Sequence, residues 1–144
     1  MSKKDKTDKI QLNQNIYTDL SNIVEYFKTL GIEILEYAGG ASILKLPFDK
    51  KLTQPFGLMH GGALFSLADG ACGLAILSTM EEITPFVTIE MKINYLEPVS
   101  NGDTFAYAKV LRKGRVVPIE VELKNSGILV AKAISTYIIL DSTK

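Results

Sequence analysis

A chain of 144 residues is short enough for one domain and long enough to bury a core without disulfides or structural metal. Apolar residues make up 47% and charged residues 22%, close to globular averages, which excludes general disorder. Sixteen basic side chains balance sixteen acidic ones, so no excess charge drives a nucleic-acid or anionic-membrane surface. A single cysteine makes no internal disulfide and a single histidine no His-rich metal site. The opening residues 1–9 alternate lysine and aspartate without an apolar core, unlike a secretory signal. The expectation is a protein of a reducing cytoplasm.

In chain order, residues 1–12 read as a solvated tail and 13–144 as one domain. Residues 15–30 place Ile16, Leu20, Ile23, Val24, Phe27 and Leu30 at three- and four-residue steps, which predicts an amphipathic helix stopped by Gly31. Residues 32–37 and 42–46 read as strands joined at Gly39-Gly40, followed by a loop from Pro47 to Met59. Residues 61–80 carry one charge, Asp69. That length could span a bilayer, but four glycines, absent basic flanks and a central carboxylate argue instead for a helix of about 61–79 enclosed by protein.

Beyond Pro85 the period becomes two. Val87, Ile89, Met91, Ile93 and Tyr95 alternate with Thr88, Glu90, Lys92 and Asn94, the pattern of a half-buried strand. Residues 104–113, 116–124 and 128–140 repeat it, with turns at Ser100-Asn101-Gly102, Lys113-Gly114 and Asn125-Ser126-Gly127. Short consecutive turns predict an antiparallel meander. The class is therefore α+β: an antiparallel sheet curled around a long helix, with a short N-terminal helix over one end. The edge strands and the uncovered helix flank left by such a sheet are hidden most simply by pairing two copies.

On the long helix, Gly62, Ser66, Asp69 and Gly73 fall within about 60° of one another, a stripe of small side chains around one carboxylate. The stripe serves either close helix packing or a functional carboxylate in an apolar setting. His60-Gly61-Gly62 stands where the loop becomes the helix. Alone it is a turn, but the first helical amides lack internal partners and glycine lets a carbonyl approach them, which is the chemistry of an oxyanion hole. Gly61 and Asp69 lie about 12 Å apart along one helix, so one substrate meeting both needs Gly61 from one subunit and Asp69 from another. Gln54 can hydrogen-bond a carbonyl, and Thr88 can orient water from what reads as the polar strand face. Arg112, Lys113 and Arg115 put three positive charges around a tight turn, either a soluble hairpin tip or a phosphate site. Cys72 has no neighbouring positive charge to activate it, and neither a G-x-S-x-G elbow nor a P-loop is present.

The run Gln54-Pro55-Phe56-Gly57-Leu58-Met59-His60-Gly61-Gly62-Ala63-Leu64-Phe65-Ser66-Leu67-Ala68-Asp69 resembles the signature of hotdog-fold acyl-CoA thioesterases, most closely the phenylacetate-degradation (PaaI-like) type. The run Ile89-Glu90-Met91-Lys92-Ile93-Asn94-Tyr95-Leu96-Glu97-Pro98 fits as well, and the resemblance covers about residues 33–140. It implies subunits that pair, often as tetramers, and hydrolysis of an acyl-CoA to a carboxylic acid and free coenzyme A. It makes Asp69 the general base or nucleophile and Gly61 the amide that polarises the thioester carbonyl. Gln54 assists, Thr88 orients water or substrate, and His60 belongs to the same motif. Coenzyme A is implied to lie along Tyr95, Leu96, Glu97, Pro98, Val99 and Ser100 and the basic turn Arg112, Lys113, Gly114, Arg115 and Val116. No metal or further cofactor is implied, coenzyme A being part of the substrate. The rival readings are a non-catalytic acyl-CoA binding module on the same fold and a hotdog hydratase or dehydratase. The hydratases pair the carboxylate with a histidine where this chain has Leu74.

Overall fold

The computed structural model describes residues 24–141, and the expected tail and the positions Ile16, Leu20 and Ile23 lie outside them. A short helix α1 (Glu25–Leu30) precedes β1 (Glu33–Ala38) and β2 (Ala41–Pro47). A 3-10 turn at Lys50–Leu52 leads to the long helix α2 (Gly61–Leu77). The chain then adds β3 (Phe86–Tyr95), β4 (Asp103–Val110), β5 (Val116–Asn125) and β6 (Ile128–Ile139). Gly31 stops α1 in the left-handed conformation, its amide bonding back to Phe27 and Lys28.

All six strands form one antiparallel sheet in the order β1-β2-β4-β5-β6-β3. Two hairpins close with two-residue loops, Gly39-Gly40 and Ser126-Gly127, and all four loop residues have positive φ. That is the turn geometry matching the twist of the flanking strands, which is why glycine recurs there.

The expected meander holds for β4, β5 and β6 but fails for β3, which lies at the far edge beside β6 rather than beside β4. The reason is in the connecting residues 96–102. Leu96 and Glu97 amides bond the Val130 carbonyl on β6, Val99 is buried with its carbonyl taken by the Met59 amide, and the Asn101 carbonyl accepts from Asn125 at the end of β5. The segment thus walks across the sheet end from β6 past β5 to β4. The Ser100-Asn101-Gly102 turn finishes a crossover, not a hairpin.

Helix α2 lies on one face of this sheet, chiefly over β2, β4 and β5. Leu64, Leu67, Ala68, Ala71, Cys72, Ala75 and Ile76 are buried against it, a burial that contributes roughly 25 cal/mol per Å2 of apolar surface. The buried Ser42 hydroxyl satisfies the Ala71 carbonyl at 2.6 Å. On its other side α1 presses so close that a Cβ on Gly70 would stand 2.8 Å from the Phe27 ring. The helix is not enclosed all round: Gly62 is exposed, and Ser66, Asp69 and Gly73 are only half-buried along the same flank, Ser66 meeting the Tyr26 hydroxyl of α1 at 2.6 Å. No helix among the described residues is long and apolar enough to cross a membrane.

Candidate active site

The structure divides the expected site residues into three groups. The first surrounds the start of α2. His60 caps the helix, its Nδ1 accepting from the Gly62 amide at 2.8 Å, while its carbonyl takes the amides of Ala63 and Leu64. Among the first four helical amides, only that of Gly61 has no acceptor among the described residues. Tyr95 reaches over from β3, its hydroxyl donating to the Gly61 carbonyl at 2.8 Å and its ring lying where a Gly61 side chain would be. Partial desolvation raises the Tyr95 phenol pKa.

Beside this helix start is a cleft of about 350 Å3, lined by Gln54, Gly61, Tyr95 and residues 96–99, with Leu58, Met59 and Leu64 as apolar walls. Of the expected coenzyme A residues 95–100, all but Ser100 are in this lining, and none of 112–116 is. The Gln54 side-chain oxygen accepts from the Phe56 amide, so the loop around Pro55 and Gly57 is folded by Gln54 itself.

The second group is centred on Asp69. The carboxylate, expected in an apolar setting, is half-buried in the single chain and has hydrogen-bond partners. Thr88 on β3 donates to Oδ1 at 2.9 Å, and Tyr137 on β6 donates to the same oxygen at 2.5 Å, its hydroxyl also lying 2.8 Å from the Asp69 carbonyl. Oδ2 has no partner among the described residues and reaches the surface of the open flank.

Thr88 gets there through a β-bulge. The register slips between Thr88 and Glu90, so Ile89 is the extra residue. Thr88 therefore shares the helix-facing side with Met91, Ile93 and Tyr95 instead of opposing them. Val87 and Ile89, which the alternation places on the buried face, are 47% and 53% exposed.

Burial, and then the nearby Asp69 charge, push the Tyr137 phenol far above its ordinary pKa, so it remains a donor. Nothing singled out Tyr137 in the sequence beyond its place in an apolar strand. Cys72 lies on the same helix, buried, with its thiol pushed up by burial and then by Asp69. It is inert as a nucleophile.

The third group, the basic turn at 112–116, is exposed and lines neither the cleft nor the Asp69 pair within one chain. Arg115 makes a surface ion pair with Asp141 at 3.5 Å.

A long helix laid across one six-stranded antiparallel sheet, with a glycine helix start and a helix carboxylate, defines the hotdog class. The sequence profile of the thioesterase superfamily matches residues 56–131. A Saccharolobus solfataricus protein whose name proposes an esterase is 36% identical over 135 residues, 92% of this chain and 94% of that one. Human acyl-coenzyme A thioesterase 13 is 27% identical over 88% of this chain and 93% of its own. A variant of the phenylacetic acid degradation protein PaaI of Thermus thermophilus superposes with a TM-score of 0.74 at 27% identity, covering 80% of this chain and 98% of that one. The chain belongs to the thioesterase superfamily, as a hotdog-fold hydrolase of the PaaI type.

Proposed function

We propose that the protein hydrolyses acyl-CoA thioesters to a carboxylic acid and free coenzyme A, in sites that each take residues from two copies of the chain. The substrate class is supported by the acyl-CoA thioesterases among its relatives. The observation that carries the residue assignment is the Asp69 carboxylate, open on a helix flank with one oxygen held by hydroxyl donors and the other free. The two-chain site is supported by β3, a ten-residue edge strand. An unpaired edge of that length invites another strand, and it borders the uncovered flank of α2.

In this reading the thioester carbonyl oxygen receives the amide of Gly61 of the partner subunit, while Asp69 Oδ2 faces the carbonyl carbon. Oδ2 takes a proton from water as its oxygen adds to the carbon, or attacks the carbon itself to give an anhydride that water then opens. The negative charge gathers on the carbonyl oxygen, where the amide stabilises it. Collapse breaks the C–S bond, and the departing thiolate leaves as the coenzyme A thiol with the proton taken from water. Thr88 orients the carboxylate, Gln54 shapes the loop leading to the helix, and His60 fixes the first turn that presents the Gly61 amide. Residues 95–100 and the exposed charges of Arg112, Lys113 and Arg115 bind coenzyme A.

The test is thiol release from a panel of aromatic and short, medium and long aliphatic acyl-CoAs, with wild type and Asp69→Asn compared. Turnover abolished in a folded Asp69→Asn variant supports the assignment; near-normal turnover rejects it. In single turnover in H2(18)O, label in the Asp69 carboxylate identifies direct attack followed by opening of the anhydride at the Asp69 carbon.

A further inference from the structure

Thr88 and Tyr137 are directly opposed across the β3–β6 ladder, and their hydroxyls converge on one oxygen of Asp69 from two strands. Tyr137 is only 3% exposed, and its ring packs against Phe86 with centroids 6.0 Å apart. It therefore has little freedom to turn away. Among the described residues the groups facing the carboxylate are Thr88 from β3, Tyr137 from β6 and Cys72 one turn along α2. Burial, and then the Asp69 charge, raise both the phenol and the thiol, so Tyr137 keeps its proton at neutral pH and acts as a donor.

A carboxylate held at one oxygen by a single donor can still rotate about its Cβ–Cγ bond and exchange its two oxygens. Two donors from the sheet pin Oδ1 and leave Oδ2 without a partner among the described residues. From this geometry we infer that Tyr137 is a positioning residue for the thioesterase reaction, acting through Asp69 and touching no substrate. The inference rests on Asp69 being the reacting carboxylate. It assigns the orientation of that group to a buried tyrosine on β6, the strand next to the β3 edge.

The experiment compares wild type, Asp69→Asn, Tyr137→Phe and the double variant on the best acyl-CoA of the panel. Tyr137→Phe keeps the ring and deletes the hydroxyl. The expected result is a kcat about 10- to 100-fold lower with KM within about twofold, and no additional loss from Tyr137→Phe once Asp69 is Asn. A tether that served folding alone would lower Tm and leave kcat per folded molecule unchanged, which overturns the proposal. Should Tyr137→Phe fail to fold, the Tyr137 hydroxyl proton is read by NMR in the wild-type protein. A downfield, exchange-protected resonance that moves upfield in Asp69→Asn supports the pairing, and its absence contradicts it. If Asp69→Asn itself turns over normally, the function assignment fails; if only Tyr137→Phe does, that assignment stands and the positioning role falls.

Discussion

The two ends of the candidate site are built by opposite means. At the start of α2 the chemistry is backbone: the open amide of Gly61, framed by the His60 cap and roofed by Tyr95. Eight residues on, it is side chains, one carboxylate gripped by hydroxyls from two strands. A backbone site depends on what is missing, since a Cβ on Gly61 would crowd the Tyr95 ring at 3.3 Å. A side-chain site depends on what the sheet delivers, and here delivery needs the bulge at Ile89. The first tolerates almost no added atom, the second no lost one.

The largest effect should follow removal of charge at the second end: Asp69→Asn is expected to lower kcat about a thousandfold while circular dichroism and Tm stay close to wild type. Gly61→Ala attacks the first end. Its Cβ would sit 3.3 Å from the Tyr95 ring, and the shifted amide should cost about 10- to 100-fold in kcat/KM, measured on the same panel. Gly70→Ala lies on the same helix but belongs to neither end. With Phe27 at 2.8 Å it should destabilise by about 1–3 kcal/mol in urea unfolding, with turnover per folded molecule unchanged.

The smallest effect is on alkaline stability. In the unfolded chain the Cys72 thiol titrates near pH 9.0, whereas in the folded chain burial keeps the proton on. The folded state is thus favoured fully below that pH and loses ground above it. Between pH 9 and 10 this withdraws about 1 kcal/mol. Tyr137 adds a loss of the same sign from its ordinary value of 10.0 upward. In Cys72→Ala the fall in unfolding free energy between pH 9 and 10 should be shallower by that first amount.

The backbone end was the more legible of the two. Glycine after histidine at the foot of an apolar run announces a helix start, and α2 begins at Gly61 as expected. Likewise Gly39-Gly40 and Asn125-Ser126-Gly127 marked real hairpins. The Asp69 end was legible only in part. Its carboxylate stood out among Leu, Ala and Gly, and Thr88 was picked out, but on the wrong face. Apolar alternation runs unbroken from Val87 to Tyr95, so a bulge leaves no trace in it. Tyr137 is one aromatic in a strand of apolar residues, and only the sheet order tells that β6 carries it beneath α2. That order was hidden because residues 96–102 look like a hairpin turn while spanning two strands. The open helix flank, by contrast, was expected of a helix on a single curled sheet, and the small-residue stripe around Asp69 lies on it.

The central claim is that these two ends meet across a pair of chains, and mixed dimers test it most directly. Asp69→Asn and Gly61→Val are each expected to be inactive alone. Mixed in equal amounts and allowed to exchange subunits, half the dimers carry both variants, and one of their two sites is intact, so about a quarter of wild-type activity should return. No recovery, with exchange verified by mass spectrometry, would contradict the account.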